Sequence, residues 1–496
     1  MNRTVIYFHY DPNGQADTAC LFAVRALLAA GAKVLFVTNG KLEAASRAAV
    51  RQMGARLLER ENTGMDVGAY REALFALGRD GLSGVDELVL MNYTLAGPVH
   101  PLEPFFARMD ARPELDFWGL TRHYAMKSRR FGGRRGQVPE HIQSHFLALR
   151  PRLFLSNAFW DYWQQMPLPQ GYEQSIQNHE TRFTAHFAAL GYRWDTAVDT
   201  EDLAEIFVNP IMACPAELLA RRGCPFFKRR SFFTPYADEL RRTDGAAAWE
   251  LLQWLKSNTG FPVEELIRSL LRTQPLADLA RNLHWHAVLP AAPASGTAPK
   301  VRLVRWNPGA RVELHPGEIV CLARPPARPP RTAGEWYACR TARLLAEDAA
   351  TCAAAAALLA ADPLMGLAVP APPACGSVYA LRMARWKQAL PDLCARAKER
   401  GLRVPIATAV PLPTADTVLL RADAFPQGLP PLDTPADWQL LFLAAQSNGY
   451  GTLQLLPASA AAAAPERMSC ALYETQDMAE SGKNLVRALR RRLRGR

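Results

Sequence analysis

The chain has no apolar run approaching about eighteen residues, the length a membrane-spanning helix needs. It has no CxxC pair either. Its nine cysteines (Cys20, Cys214, Cys224, Cys321, Cys339, Cys352, Cys375, Cys394 and Cys470) are odd in number and scattered. That argues against a disulfide framework or a zinc site and leaves reduced, packing cysteines. No nucleophile elbow, P-loop, HExxH pair or GxGxxG turn stands in a fitting context, and no solenoid repeat is found. The first residues, Met1-Asn-Arg-Thr-Val-Ile-Tyr-Phe8, lack a long h-region and a cleavage site. They read as a first strand, so a cytoplasmic location is expected.

What is present is ordinary globular composition, 49% hydrophobic and 21% charged over 496 residues. That length exceeds one ordinary core, so two or three domains are expected. Basic residues outnumber acidic ones 58 to 47. Much of the excess sits in Lys483-Asn-Leu-Val-Arg-Ala-Leu-Arg-Arg-Arg-Leu-Arg-Gly-Arg496. Leu485, Ala488 or Leu489, and Leu493 can share one helical face there, with Arg487, Arg490, Arg491 and Arg494 largely outside it. This tail suits an anionic membrane surface; a solvated disordered tail and a nucleic-acid contact are the alternatives. Nothing resembles an RNA-binding signature or a zinc finger, so no nucleic-acid partner is expected.

The organising stretch runs from Arg60 to Pro98. A strand-like run, Ala55–Glu59, enters the loop Glu61-Asn-Thr-Gly-Met-Asp66, and a helix is predicted from Val67 to Leu77. Asp66 stands where an N-cap or first-turn acid belongs. The apolar run Glu87–Met91 then stops at Asn92-Tyr93-Thr94. Upstream, strands are predicted at Val5–Tyr10 and Lys33–Thr38, with helices from Asp17 to about Ala30 and from Leu42 to Met53. This alternation predicts an α/β fold: a parallel, right-handed sheet with helices on both faces. Ligands of such sheets sit beyond the strands' carboxyl ends, so the loops at Asn62–Asp66 and Asn92–Gly97 are expected to open on one crevice.

A strand at Asp116–Thr121 leads into a basic, glycine-bearing segment holding Arg122, His123, Lys127, Arg129, Arg130, Arg134 and Arg135. Such a loop either neutralises a diphosphate or is simply solvated. His141–Leu149 alternates like a strand, Pro151–Trp163 reads as an aromatic-rich helix, and Ile176–Leu190 as a helix carrying Glu180. The composition divides the chain into a first domain, 1–290, a Pro/Ala/Ser/Gly/Thr linker, 291–300, and a smaller α/β module, 301–456. A low-complexity linker and the basic tail, 457–496, follow.

The sheet-end loops carry the chemistry. Many nucleotide-sugar transferases place an Asp-x-Asp after a strand, where two carboxylates hold a divalent cation against the donor diphosphate. Asn92-Tyr93-Thr94 has no carboxylate, so a diphosphate here must be met by cations such as Arg122, Lys127 or Arg129, or by backbone amides. Asn92 is either an amide contact to the donor or a turn residue. Asp66 either caps its helix or contacts a ribose or base. Glu180 is the candidate general base for an acceptor hydroxyl, against a plain helix-surface glutamate. His141, Gln143 and His145 share a strand face, lining an acceptor pocket or merely half-exposed. Lys228, Arg229 and Arg230 clamp phosphate, lie near lipid headgroups, or form a surface charge run.

Taken in order, these motifs resemble the rhamnan synthesis protein F family, glycosyltransferases of rhamnose-containing cell-wall and lipopolysaccharide chains. The likeness rests on Asn62-Thr-Gly-Met-Asp66, Asn92-Tyr93-Thr94 with Gly97-Pro98, Trp118-Gly119 and Gln143-Ser-His-Phe146. It continues in the Glu180 helix ending at Gly191-Tyr192, in Asn209-Pro210, and in Pro225-Phe-Phe-Lys228. A looser likeness follows in Pro363–Pro370, Val418–Phe425 and Ala444–Tyr450. The resemblance implies a Rossmann-like, GT-A-type nucleotide-sugar domain. Its donor would be a nucleotide-diphosphate rhamnose and its acceptor a lipid-linked glycan, at the inner face of the plasma membrane. The implied donor residues are Asn62, Gly64, Asp66, Asn92, Tyr93, Thr94, Arg122 and Lys127. Tyr93 replaces the family's aspartate, which leaves Mg²⁺ or Mn²⁺ without its expected carboxylate, and no cofactor is assigned. The same departure supports a second reading, a non-catalytic subunit that binds glycan or other polysaccharide-assembly proteins.

Overall fold

The computed structural model describes residues 1–128, 130–132, 136–234, 246–289, 299–307, 309, 311–324, 342–343, 345–371, 376–406, 417–432, 437–456 and 486. Arg129, Arg134, Arg135, most of the 291–300 linker and nearly all of the 457–496 tail lie outside the described residues. The chain forms two compact units, Met1–Leu266 and Ile267–Arg496. No helix among the described residues is long and apolar enough to cross a membrane.

The first unit opens with the predicted alternation: β1 (Arg3–Tyr10), α1 (Thr18–Ala29), β2 (Lys33–Asn39), α2 (Ala44–Gln52), β3 (Arg56–Arg60), α3 (Met65–Leu82) and β4 (Glu87–Asn92). The strand pairs β1–β2, β2–β3 and β1–β4 are all parallel. Every residue of β4, and all of β1 except Tyr10, is buried, as expected for strands covered on both faces. The chain steps outward from β1 to β2 and β3, then returns to the other side of β1 for β4. This reversal creates a topological switch point at the carboxyl ends of β1 and β4, where open α/β sheets hold ligands.

Beyond β4 come β5 (Leu95–Ala96), α4 (Leu102–Asp110), β6 (Phe117–Gly119), β7 (Arg122–His123), β8 (Met126–Lys127), β9 (Gln137–Val138), β10 (His141–Ile142) and β11 (Phe146–Leu149). Next are α5 (Pro151–Phe154), α6 (Asn157–Gln165), α7 (Tyr172–Ser175), a π-helical turn (Ile176–Glu180), α8 (Thr181–Ala189), β12 (Trp194–Thr196) and β13 (Phe227–Lys228). The seven-stranded sheet has the order β12-β6-β11-β4-β1-β2-β3, with β11 antiparallel to both its neighbours. Beneath it Val67, Tyr70, Leu74, Phe117, Phe159, Trp163, Phe183 and Phe187 belong to a buried core rich in aromatic rings.

Several elements differ from the sequence reading. Helix α3 begins two residues earlier than expected and runs on to Leu82 across a break at Gly78 (φ 66°). Its N-cap is Gly64, so Asp66 is a first-turn acid. The expected single strand from His141 to Leu149 is two strands. Ile142 pairs sideways with β7, and Gln143–His145 turn the chain into the central sheet. Three consecutive polar residues, Gln143–His145, mark the bend, and the whole run from His141 to Leu149 is buried. The predicted Pro151–Trp163 helix is α5 and α6, divided where Ser156 caps Phe159. The helix around Glu180 contains a π turn, a distortion common at functional sites.

The second unit holds a mixed sheet built from β14 (His286–Val288), β15 (Val301–Arg305), β16 (Ile319–Ala323), β17 (Met365–Pro370), β18 (Thr417–Arg421) and β19 (Gly451–Leu456). The order is β14-β19-β17-β18-β16-β15. Because β14 pairs in parallel with β19, residues before the composition-defined linker belong to this unit.

Candidate functional site

The loop from β3 to α3 is a compact knot rather than an open flap. Arg60, 9% exposed, donates to Asn39 Oδ1 (2.5 Å), to the Thr63 carbonyl (2.9 Å) and to Glu72 (2.6 Å). Asn62 is exposed and accepts from Asn39 Nδ2 at 3.2 Å. Gly64 has φ +70°, and a Cβ there would lie 2.9 Å from Leu168 Cδ2. Only glycine fits that backbone without strain.

Asp66 joins three segments. Its Oδ1 accepts from the Ser175 hydroxyl (2.8 Å) and the Val67 amide (3.0 Å), and its Oδ2 accepts from Asn92 Nδ2 (3.0 Å). Burial raises the Asp66 pKa, and the Glu180 charge adds to that rise. The loops after β3 and β4 therefore do meet, through Asp66 and Asn92. Asn92 Oδ1 also takes the Thr94 amide at 3.0 Å, fixing the strand exit. The Tyr93 ring packs edge-on against Phe8 and His9, and the Arg229 guanidinium lies 5.7 Å from its centroid. Burial pushes its phenol well above the ordinary range.

A cavity of about 490 Å³ opens beside this junction. Its polar lining includes His123, His141, Gln143, Glu180, Lys228 and Arg230. Glu180 comes from the π turn, and its Oε2 accepts from both the amide (3.0 Å) and the hydroxyl (2.7 Å) of Ser144. Its Oε1 faces His141 Nε2 at 3.9 Å. Burial alone would raise the Glu180 pKa. The His141 ring when it is protonated, the Lys228 ammonium and the Ser144 donors outweigh it and hold the carboxyl well below its usual range. Lys228 is pushed down by burial and pulled back by Glu180 and Asp66. Gln143 is fixed by the Thr121 hydroxyl (3.0 Å) and Asn209 (3.3 Å). Arg230 donates to the Tyr172 hydroxyl at 2.9 Å on the rim.

His145 is 3% exposed, and neither of its ring nitrogens has a hydrogen-bond partner among the described residues. Burial, reinforced by Lys228, pushes its pKa well down and keeps the ring neutral. His123 stacks on His141 with ring centroids 4.9 Å apart, and burial together with that neighbour lowers its pKa to about 4.

The structure thus brings His141, Gln143, Glu180, Lys228 and Arg230 to one cavity, with Asp66 and Asn92 bracing the adjoining wall through Ser175. It does not bring Arg122 there: that guanidinium pairs with Glu140 (2.7 Å) and Asp195 (2.9 Å) and lies over Trp194. Lys127 is exposed and lines a neighbouring, wider groove with Arg182 and His186. Arg229 turns away from solvent and lipid alike. It forms a two-pronged bond to Asp17 (2.5 and 2.8 Å), which caps α1 through the Cys20 amide. Asn62, Gly64, Tyr93 and Thr94 do not line this cavity. Ser175 was not singled out by the sequence, and Ser144 and Asn209 entered only as members of family-like motifs with no role assigned, because each acts on a partner far along the chain.

The donor set does not suit a divalent cation. Among the described residues no three His, Cys, Asp or Glu side chains converge to hold one, and the β4 exit offers an amide, a phenol and a hydroxyl.

A sequence profile of the family described as rhamnan synthesis protein F matches residues 34–292. The uncharacterized protein y4gN of Sinorhizobium fredii is 24% identical over 202 residues. The match covers 40% of this chain and 49% of the relative, so the chain spans about half the length of that curated protein. Two solved structures are also similar. Glucosyl-3-phosphoglycerate synthase of Mycobacterium tuberculosis is 15% identical, covering 45% of this chain and 81% of that one at TM-score 0.26. Mannosyltransferase PcManGT of Pyrobaculum calidifontis, solved with GDP-Man and Mn²⁺, is 13% identical, covering 54% and 79% at TM-score 0.26. The profile spans more than half of the sequence, and the chain belongs to the rhamnan synthesis protein F family.

Proposed function

We propose that the first unit is a GT-A-type glycosyltransferase that moves a deoxyhexose, rhamnose by family likeness, from a nucleotide diphosphate to a lipid-linked glycan. The observation that carries this reading is the cavity beside the carboxyl edge of the sheet, with Lys228 and Arg230 across from an ionised Glu180. Inside a partly dehydrated cavity two cations stabilise a leaving diphosphate far more than they would in water. The acceptor hydroxyl enters on the Glu180 side, among His141 and Gln143. No step is assigned to a metal ion. Polysaccharide or O-antigen assembly at the inner face of the plasma membrane, held there by the basic 483–496 tail, completes the proposal; nearly all of that tail lies outside the described residues.

A specific observation favours a second reading. Tyr93, in place of the family's aspartate, is packed against Phe8 and His9. A non-catalytic subunit that binds glycan or partner transferases would need no carboxylate there. A thermal-shift screen against dTDP, UDP, GDP and their sugars, with EDTA and with Mg²⁺ or Mn²⁺, separates the two. A ligand at a hundred times its dissociation constant adds about 2.7 kcal/mol of stability. Stabilisation by one diphosphate that survives EDTA supports the transferase, whereas no response to any nucleotide favours the scaffold.

A further inference from the structure

The wall shared by β10 and the π turn contains an arrangement that divides labour between two residues. His141 Nδ1 lies 2.7 Å from the Pro139 carbonyl oxygen. A carbonyl only accepts, so Nδ1 carries the hydrogen, and in the neutral ring Nε2 is the lone-pair atom. That Nε2 is buried and has no hydrogen-bond partner among the described residues. Across from it, Glu180 Oε1 stands at 3.9 Å, beyond hydrogen-bond reach. Two acceptors facing each other cannot bond, and a hydroxyl arriving from the cavity that both residues line can give its one proton to only one of them.

The ring is held in place. It stacks on His123 at an interplanar angle of 18°, and the next amide, Ile142 N–H, donates to the Thr184 hydroxyl at 3.0 Å. Glu180 is committed differently, since its Oε2 already takes both Ser144 donors. The titratable groups around His141 are His123 from β7, Glu180 from the π turn, His145 from the following turn and Lys228 from β13.

We propose that His141 Nε2 receives the acceptor hydroxyl proton, and that Glu180 is the positioning carboxylate that stabilises the resulting imidazolium. The proposal rests on the glycosyltransferase reading above. As the acceptor oxygen bonds to the anomeric carbon of the donor, its O–H proton passes to Nε2. The anomeric carbon–oxygen bond breaks, and its electron pair leaves with the nucleoside diphosphate beside Lys228 and Arg230. The proton is then lost from His141 to water. A carboxylate beside an imidazole favours proton uptake in this way without being protonated itself.

The test uses the full chain, dTDP-rhamnose with water standing in for the acceptor hydroxyl, and two readouts: dTDP affinity and dTDP release. His141→Gln is expected to keep its dTDP affinity and lose about 10²- to 10⁴-fold in release rate. Imidazole added to His141→Ala is expected to restore part of that rate. Glu180→Gln is expected to be slowed less and to move the acid limb of the pH–rate profile rather than abolish it. His141→Asn serves as a second variant should the glutamine form fold poorly. Release within threefold of wild type in the folded His141 variants overturns the assignment. So does Glu180→Gln abolishing release while His141→Gln does not. A wild-type chain that binds none of dTDP, UDP or GDP, or binds without turnover, overturns the glycosyltransferase reading and this assignment together.

Discussion

Asn92 Nδ2 donates to Asp66 Oδ2 at 3.0 Å, tying the exit of β4 to the first turn of α3 across 26 residues of sequence. Asp66 also receives Ser175, so one side chain serves as the junction of three segments. Asp66→Ala would leave a buried amide and a hydroxyl without an acceptor. It is expected to cost about 2 kcal/mol or more, against about 1 kcal/mol for Asn92→Ala. Urea unfolding of both variants checks the order, and equal stabilities would dissolve the junction.

Gly64 makes a second, independent test of the same loop. Gly64→Ala places a methyl group 2.9 Å from Leu168 and forces an L-residue to φ +70°. The backbone term alone is about 1–2 kcal/mol. A drop of that size in unfolding free energy is expected, and an unchanged midpoint would mean that the loop relaxes freely.

Acid should destabilise the fold well before carboxylates titrate. Burial lowers the pKa of both His9 and His179 to about 4. In the unfolded chain a histidine binds its proton near pH 6.5. Between those values the unfolded state holds more protons, so stability is full above about 6.5 and falls as pH drops toward 4. The limiting slope is roughly 1.4 kcal/mol per pH unit for each such histidine. Glu180, held below its ordinary range, adds a loss at still lower pH, beneath about 4.3. Denaturant midpoints at pH 7, 6 and 5 check the sign; a flat profile would refute it.

Breaking the pair between Arg229 and Asp17 should be more damaging than deleting it. Both side chains are under 10% exposed. Arg229→Met strands a buried carboxylate at an expected cost of about 3–5 kcal/mol, whereas Arg229→Met with Asp17→Leu recovers most of it. A double-mutant cycle in guanidinium reads the difference, and additivity of the two losses would contradict a mutual pair.

The first, second and fourth strands were legible because parallel, doubly covered strands write themselves as apolar runs, as in Val5–Phe8 and Leu88–Met91, whereas the part-exposed edge strand Arg56–Arg60 followed from its place in the alternation. The same logic predicted one crevice shared by the two sheet-end loops; Asp66 and Asn92 do bond to each other, but neither loop lines the cavity. Three things were less legible. The bend at Gln143–His145 lies in a run buried on every residue, and its three consecutive polar residues are the one sequence sign of it. The partners Ser144 and Ser175 lie 36 residues from Glu180 and 109 from Asp66, distances over which a sequence carries no geometric signal. The run Lys228-Arg229-Arg230 reads as three equal charges. Only packing sends its middle member into the core and leaves the flanking two at the cavity.

That split carries a consequence for how the molecule comes into being. A ribosome delivers Asp17 and must add 212 further residues before its counter-charge exists. At ordinary elongation rates the wait is roughly 10 to 40 s. Until then the first helix carries a carboxylate that cannot be dehydrated cheaply, and nascent chains stalled before Arg229 are expected to be cut by protease within α1. When Arg229 emerges it brings Lys228 and Arg230 with it. The step that lets the amino-terminal half close is therefore the step that delivers the cavity's cations, so the chain reaches its binding charge only when its architecture is complete.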